Sequence, residues 1–186
     1  MTIGFALCGS YCTYDRVFPV IEALSKENKV IPILSEAAYA TDSRFGTAEH
    51  WKTRLEEICG RPPLHLISQV EPIGPKGLLD ILVIAPCTGN TLAKLAHSIA
   101  DGPVTMAAKS HLRNGRPVLV AVSTNDGLAG AGENIGRLLA RKHYYFVPFG
   151  QDDPLKKPTS LIADFAQIPQ AVEGALAGQQ IQPMLL

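Results

Sequence analysis

Apolar residues along this chain fall into short, nearly unbroken runs that alternate with longer stretches in which they recur every third or fourth position. The first kind of run reads as a buried strand and the second as an amphipathic helix. Ile3 to Leu7 is the first strand, followed by the turn Cys8-Gly9-Ser10-Tyr11-Cys12 and a helix with Thr13 as its N-cap candidate. Val17, Phe18, Ile21 and Leu24 share one face of that helix. Val30 to Leu34 is a second strand, ended by Ser35. The polar stretch from Glu36 to Gly46 has no clear period and predicts a loop over the strand ends, before a helix around Ala48 to Cys59. Pro62-Pro63 breaks the chain, Leu64 to Ile67 predicts a short strand, and Pro72, Gly74, Pro75 and Gly77 mark a turn-rich connector.

The second half repeats the alternation. Ile81 to Ala85 is the central strand, with a helix opening at Thr91 and another expected over Val104 to Leu112. Pro117 to Val122 is a β-branched strand, Ile135 to Arg141 is helical, and Tyr144 to Val147 is a last strand. Leu161 to Leu176 reads as a terminal helix interrupted or restarted near Pro169. Near-continuous apolar strands alternating with helices imply an α/β fold whose parallel sheet is covered on both faces. With 186 residues and no internal repeat, one domain spanning 1–186 is expected.

Composition narrows the ligand. Seventeen basic side chains balance seventeen acidic ones, so no charge excess recruits nucleic acid or an anionic membrane. No apolar run approaches the ~20 residues that span a bilayer, and the N-terminal stretch lacks a basic leader and a cleavage site. A cytoplasmic protein with a small-molecule ligand is the expectation. The scattered cysteines Cys8, Cys12, Cys59 and Cys87 read as free thiols in a reducing compartment.

The segment from Leu82 to Thr91 carries the most chemistry. An apolar strand stops at Pro86, and Cys87-Thr88-Gly89-Asn90-Thr91 makes a turn that runs directly into a helical pattern. Free backbone N–H groups and short polar side chains thereby stand at the carboxyl end of a strand, where open α/β sheets hold ligands. Gly9-Ser10, Ser35 and Ser123-Thr124-Asn125-Asp126 end other strands, so parallel pairing would set four such clusters along one edge. Each cluster alone reads as an ordinary turn or N-cap; their convergence is what points to a ligand. Hydroxyls and helix N-terminal amides suit a phosphate, while Asn90 and Asn125 can serve a heterocycle edge. Cys87 either contacts the ligand or is simply small enough for the turn.

Other motifs are weaker. Gly130-Ala131-Gly132-Glu133-Asn134-Ile135-Gly136 departs from G-x-G-x-x-G and starts too far from its strand, so a lid or an intersubunit contact is favoured over nucleotide binding. His50, His65, His97, His111 and His143 share no spacing and read as surface or structural, and no Cys/His set has the spacing of a metal site. Lys156-Lys157 and the stretch from Arg113 to Arg116 read as solvated surface. No residue is assigned as catalytic.

Together, Gly9-Ser10, Ala85-Pro86-Cys87-Thr88-Gly89-Asn90-Thr91, Asp101, and Asn134-Ile135 leading to Pro148 resemble the flavoprotein family of homo-oligomeric flavin-containing cysteine decarboxylases. In that family a Pro-Ala-Ser-Ala-Asn-Thr type segment binds flavin mononucleotide (FMN). Gly9-Ser10-Tyr11-Cys12-Thr13-Tyr14, Ser123 to Asp126, Tyr145 to Asp152 and Lys156-Lys157-Pro158 extend the likeness over nearly the whole chain. The resemblance implies a three-layer, Rossmann-like or flavodoxin-like fold with a mostly parallel sheet covered by helices on both faces. It also implies a homo-oligomer with FMN as cofactor. Gly9 and Ser10 would contact the flavin phosphate region beside Ser35. Pro86, Cys87, Thr88, Gly89 and Asn90 would form the central flavin segment, and Ser123 and Asn125 would line the reactive side of the ring.

Departures matter equally. Decarboxylating members carry a histidine before the central strand, where Ile67-Ser68-Gln69-Val70-Glu71 has none, and methionines around the asparagine matched by Asn125, where none stands here. Both argue against decarboxylation. The branch most like this chain works as one component of a multi-chain oxidoreductase in spore-forming bacteria, aromatising a dihydropyridine dicarboxylate. The other component resembles a nicotinamide-dependent dehydrogenase and would bring NADP or NAD. Lys109, Arg113 or Arg44 are the cations expected to meet the substrate carboxylates. The alternatives are an FMN-dependent decarboxylase and a non-catalytic assembly subunit.

Overall fold

The computed structural model describes residues 1–186. Five strands form the parallel part of its sheet: β1 (Thr2–Leu7), β2 (Lys29–Leu34), β3 (Ile81–Cys87), β4 (Val118–Thr124) and β5 (Tyr144–Phe146). They run in the order β2-β1-β3-β4-β5, with Phe5 beside both Pro32 and Val83, Val83 beside Leu119, and Leu119 beside Tyr145. β3 is buried along its whole length, as a strand covered on both faces must be. The flavodoxin-like sheet and its helical layers agree with the fold that the alternation of apolar runs predicts.

Two helices, α1 (Tyr14–Ser25) and α8 (Ile168–Leu176), pack together on one face, with α3 (Ala48–Cys59) beside α1. Val17, Phe18, Ile21 and Leu24 point inward from α1, as their spacing requires. On the other face lie α4 (Ile67–Val70), α5 (Gly89–Ala96), α6 (Pro103–Leu112) and α7 (Gly132–Leu139). A continuous cluster of 49 buried apolar residues runs through both layers. α3 ends at Gly60, whose φ of 65° is the left-handed conformation of a helix C-terminus.

Several elements differ from expectation. The stretch after Ser35 opens as a helix, α2 (Glu36–Ala40), because the Ser35 hydroxyl accepts from Ala38 N at 3.2 Å and the alanine-rich sequence favours helix. Leu64 makes only a single bridge to Ile33, and the chain turns into α4 at Ile67, where Gln69 Oε1 takes the N–H groups of His65 and Leu66. Thr13 caps no N–H with its side chain; its hydroxyl donates to Ser10 O at 2.8 Å. β3 continues through Pro86 to Cys87 with a register irregularity against β4, and α5 begins two residues earlier than Thr91.

The largest difference lies beyond Val147. A hairpin of β6 (Phe149–Asp153) and β7 (Lys157–Ala163) replaces the first part of the expected terminal helix. Ser123 and Thr124, the last residues of β4, pair antiparallel with Ile162 and Leu161 of β7. β4 therefore serves β5 with its first half and the hairpin with its second, which brings the hairpin to the carboxyl edge of the sheet.

Candidate functional site

Parallel pairing puts the ends of β1, β2, β3 and β4 on one edge. The chain passes from β1 outward to β2 and later returns to β3 on the other side of β1, so a crevice opens between β1 and β3. Backbone bonds fix its floor: Cys8 N donates to Pro86 O at 3.3 Å, Ser35 N to Leu7 O at 3.0 Å, and Ser10 N to Cys8 O at 2.8 Å. The Tyr14 hydroxyl, buried under the turn, donates to Cys8 O at 3.0 Å.

Two adjoining cavities occupy the crevice and share Gly9 and Thr88. The larger, about 350 Å³, is walled by Cys8, Ser35, Asn90, Thr91, Lys94 and the first turn of α6 from Gly102 to Thr105. The N-termini of α5 and α6 both open on it, so unpaired amides and positive dipole ends face the space. Thr88 caps α5, accepting from Thr91 N at 3.4 Å, with the two threonine hydroxyls 3.2 Å apart. Thr91 Oγ1 also reaches Cys8 Sγ at 3.3 Å, which ties α5 to the end of β1. Lys94 pairs with Asp101 at 2.9 Å, and this partner holds the Asp101 carboxyl below the usual range.

The smaller cavity, about 220 Å³, lies toward β4 and the hairpin. Ser10 and Ser123 meet across its floor with hydroxyl oxygens 2.7 Å apart. Cys12, Asn125, Asp152, Lys157 and Ser160 complete its polar wall. Lys157 pairs with Asp152 at 2.6 Å, which raises the ammonium above its ordinary value.

The fold thus gathers Gly9, Ser10, Ser35, Thr88, Asn90, Ser123 and Asn125 around one crevice. Gly89 stands at the start of α5 facing Thr124 and Asp126 rather than open space: a Cβ there would meet Thr124 Oγ1 at 2.7 Å and Asp126 Oδ1 at 2.8 Å. Pro86 and Cys87 correct the expectation. Both are buried in the sheet and line neither cavity, because the strand continues through them and the turn starts only at Thr88. Their part is to carry the turn; burial pushes the Cys87 thiol up and the Cys8 thiol to about 11, so both stay protonated and weakly nucleophilic.

The expected substrate cations also lie elsewhere. Lys109 lines a separate cavity with Arg141 and Tyr144, Arg44 stacks over Phe45 at 4.9 Å, and Arg113 ends α6, exposed. Lys94 and Lys157 are the cations that reach the crevice. Sequence reasoning missed Lys94 and the α6 N-terminus and read Lys157 as solvated surface; Asp101, Asp152 and Lys157, which fall within the resembling stretches, were the nearest signals. No histidine lines either cavity: His111 is buried and donates through Nε2 to Pro117 O at 3.1 Å, and His65 stacks on Tyr39 at 3.7 Å. The Gly130–Gly136 stretch lines neither cavity; it leads into and begins α7, which packs on α5.

A family model described as Flavoprotein matches residues 1–131. The dipicolinate synthase B subunit of Bacillus subtilis (strain 168) is 48% identical over 185 residues, covering 99% of this chain and 92% of that protein. The crystal structure of the dipicolinate synthase B subunit from Bacillus halodurans has a TM-score of 0.91 at 46% identity, covering 100% of this chain and 95% of that one. At the level of fold alone, DmrB from Burkholderia xenovorans, solved in complex with FMN, has a TM-score of 0.70 at 19% identity, covering 95% of each chain.

Proposed function

The chain belongs to the flavoprotein family, and from that premise we propose that it binds FMN in the crevice and acts as the B subunit of a dipicolinate synthase. In this reading it takes part in the oxidation of dihydrodipicolinate to dipicolinate. The observation that carries the reading is the convergence of seven expected cofactor residues on the β1/β3 crevice of a chain so similar to the B subunit of that enzyme. Crevices at such switch points are where mononucleotides sit in sheets of this strand order.

The donor set fits the cofactor. A phosphate is served by the amides and hydroxyls around Gly9, Ser35 and the α5 and α6 N-termini, with Lys94 as the nearby cation. Asn90 and Asn125, one on each cavity, offer both donor and acceptor to a flavin edge. A cavity of about 350 Å³ lies in the size range of cofactor sites. FMN, when bound, supplies a two-electron acceptor.

Aromatising the dihydropyridine removes a hydride equivalent from a ring carbon and a proton from the ring. This chain contributes position: the capped start of α5 and the Ser10–Ser123 pair fix the polar groups that would orient ring and substrate. The expected partner is the A subunit of dipicolinate synthase, and NADP or NAD would enter through it. A homo-oligomer, and a place in the cytoplasm of the mother cell of a sporulating bacterium, complete the proposal. No helix is long and apolar enough to cross a membrane.

Reconstitution tests it. The chain, mixed with the dehydrogenase-like A subunit, FMN and NADP, should support dipicolinate formation that neither protein alone sustains. Sustained release of carbon dioxide from a cysteinyl substrate would instead establish the decarboxylase. A protein that takes up no FMN yet raises the activity of its dehydrogenase-like partner would establish an assembly role.

A further inference from the structure

The smaller cavity holds donors that the fold leaves unspent. In the Ser10–Ser123 pair one hydroxyl donates to the other across 2.7 Å, and the proton of the accepting hydroxyl meets nothing stronger than Cys12 Sγ, 3.9 Å from Ser10 Oγ, so it is available to a ligand. Asn125 Oδ1 accepts from Ser160 Oγ at 3.5 Å, while its amide N–H groups have no partner in the protein. Lys157 is carried in by β7, and Asp152, 2.6 Å away, occupies one of its three N–H groups. Lys157 keeps 53% of its side-chain surface exposed and Asp152 29%. An exposed pair of this kind contributes little to folding. Its effect is to hold an ammonium on the wall of the cavity that is also lined by Ser123 and Asn125, the residues expected to face the reacting side of a flavin ring.

The two cavities differ in what they would accept. Each cavity carries a lysine and an acidic side chain, Lys94 with Glu36 in the larger and Lys157 with Asp152 in the smaller, but the α6 N-terminus and the first turn of α5 at Asn90 and Thr91 open only on the larger, so a phosphate dianion is better served there. The smaller cavity offers one cation, free hydroxyl and amide donors, and an apolar edge at Leu161 and Ile162. That combination suits a carboxylate on a flat ring: Lys157 supplies a charge-assisted bond to one oxygen and the neighbouring donors reach the other.

We propose that the smaller cavity is the substrate pocket, and that Lys157 binds one carboxylate of a planar ring dicarboxylate there while Asp152 holds the ammonium in place. The proposal rests on the reading that the larger cavity takes FMN. It replaces Lys109, Arg113 and Arg44 with the one lysine that the hairpin delivers to Ser123 and Asn125.

Calorimetric titration of pyridine-2,6-dicarboxylate into the full chain tests it, using wild type, Lys157→Met and Lys157→Arg, each with and without saturating FMN. Wild type should bind, Lys157→Met should bind roughly 10- to 100-fold more weakly, and Lys157→Arg should stay within about fivefold of wild type. The absorption spectrum of added FMN should be the same with Lys157→Met as with wild type, which separates loss of the carboxylate anchor from loss of the fold or cofactor. Dicarboxylate affinity of Lys157→Met within about twofold of wild type overturns the proposal, as does failure of wild type to bind the dicarboxylate. If no variant takes up FMN but Lys157→Met still loses the dicarboxylate, the flavin reading fails and the carboxylate anchor stands.

Discussion

Replacing Gly89 with alanine adds one methyl group where the start of α5 packs against Thr124 and Asp126. Gly89 is the first residue of α5 and has helical backbone geometry, so alanine is conformationally acceptable and by itself would stabilise by about 0.4–1 kcal/mol. The new Cβ would lie 2.7 Å from Thr124 Oγ1 and 2.8 Å from Asp126 Oδ1. The Thr124 hydroxyl donates to Asp126 Oδ1 at 2.5 Å, so moving either atom aside breaks that hydrogen bond or drags its partner along. Overpacking of this kind costs roughly 1–3 kcal/mol. The net expectation is a loss of about 1–2 kcal/mol, or about 2–8 °C in Tm for a chain of this size. In a Thr124→Ala/Asp126→Ala background the obstructing oxygens are gone, and the same Gly89→Ala change should stabilise by about 0.4 kcal/mol or more. Urea unfolding of the four proteins, with m-values confirmed equal, reads the cycle. A Gly89→Ala protein as stable as its parent, or an equal cost in both backgrounds, would refute the packing argument. The same contact explains why glycine stands here where the family's flavin segment has alanine.

Thr88→Ala removes the cap of α5 and part of the wall of both cavities; it should cost about 1 kcal/mol in urea unfolding and weaken FMN binding in a parallel titration. His111 is buried, and desolvation lowers its pKa in the fold from 6.5 to about 4. The unfolded chain therefore binds the extra proton between those values, so stability should be fully present above about pH 6.5 and fall by up to about 3 kcal/mol toward pH 4. His111→Gln should flatten that slope, read as the pH dependence of the unfolding midpoint.

Much of this architecture is legible in the residues. β1, β2 and β3 advertise themselves as short apolar runs, and α1 and α3 as periodic faces, because burial on both sides of a sheet or on one stripe of a helix leaves a local signature. The hairpin does not. Phe149 to Asp153 has no β-branched residue, and Leu161-Ile162 joins Phe165 and Ile168 into a pattern that mimics a helical face. What makes Leu161 and Ile162 a strand is pairing with Thr124 and Ser123 almost forty positions earlier, a long-range fact that no local window contains. The site divides in the same way. Thr88, Asn90, Gly9 and Ser35 are visible as strand-end clusters, whereas Thr105 and Lys157 reach the crevice only through the packing of α6 and the hairpin, and Lys94 through the direction in which α5 leaves its strand. Pro86 and Cys87 show the converse error, since the proline reads as the stop of a strand ending at Ala85 that in the fold runs on for two more residues.

The central claim is that the crevice between β1 and β3 binds FMN. Its most direct test is an equilibrium titration of the purified protein with FMN, followed by flavin absorbance and fluorescence. The account predicts saturable uptake with one FMN per chain and a Kd of about micromolar or tighter, accompanied by a resolved shift of the flavin bands. Unchanged flavin spectra on mixing, with protein and FMN both at roughly 100 μM, would contradict it.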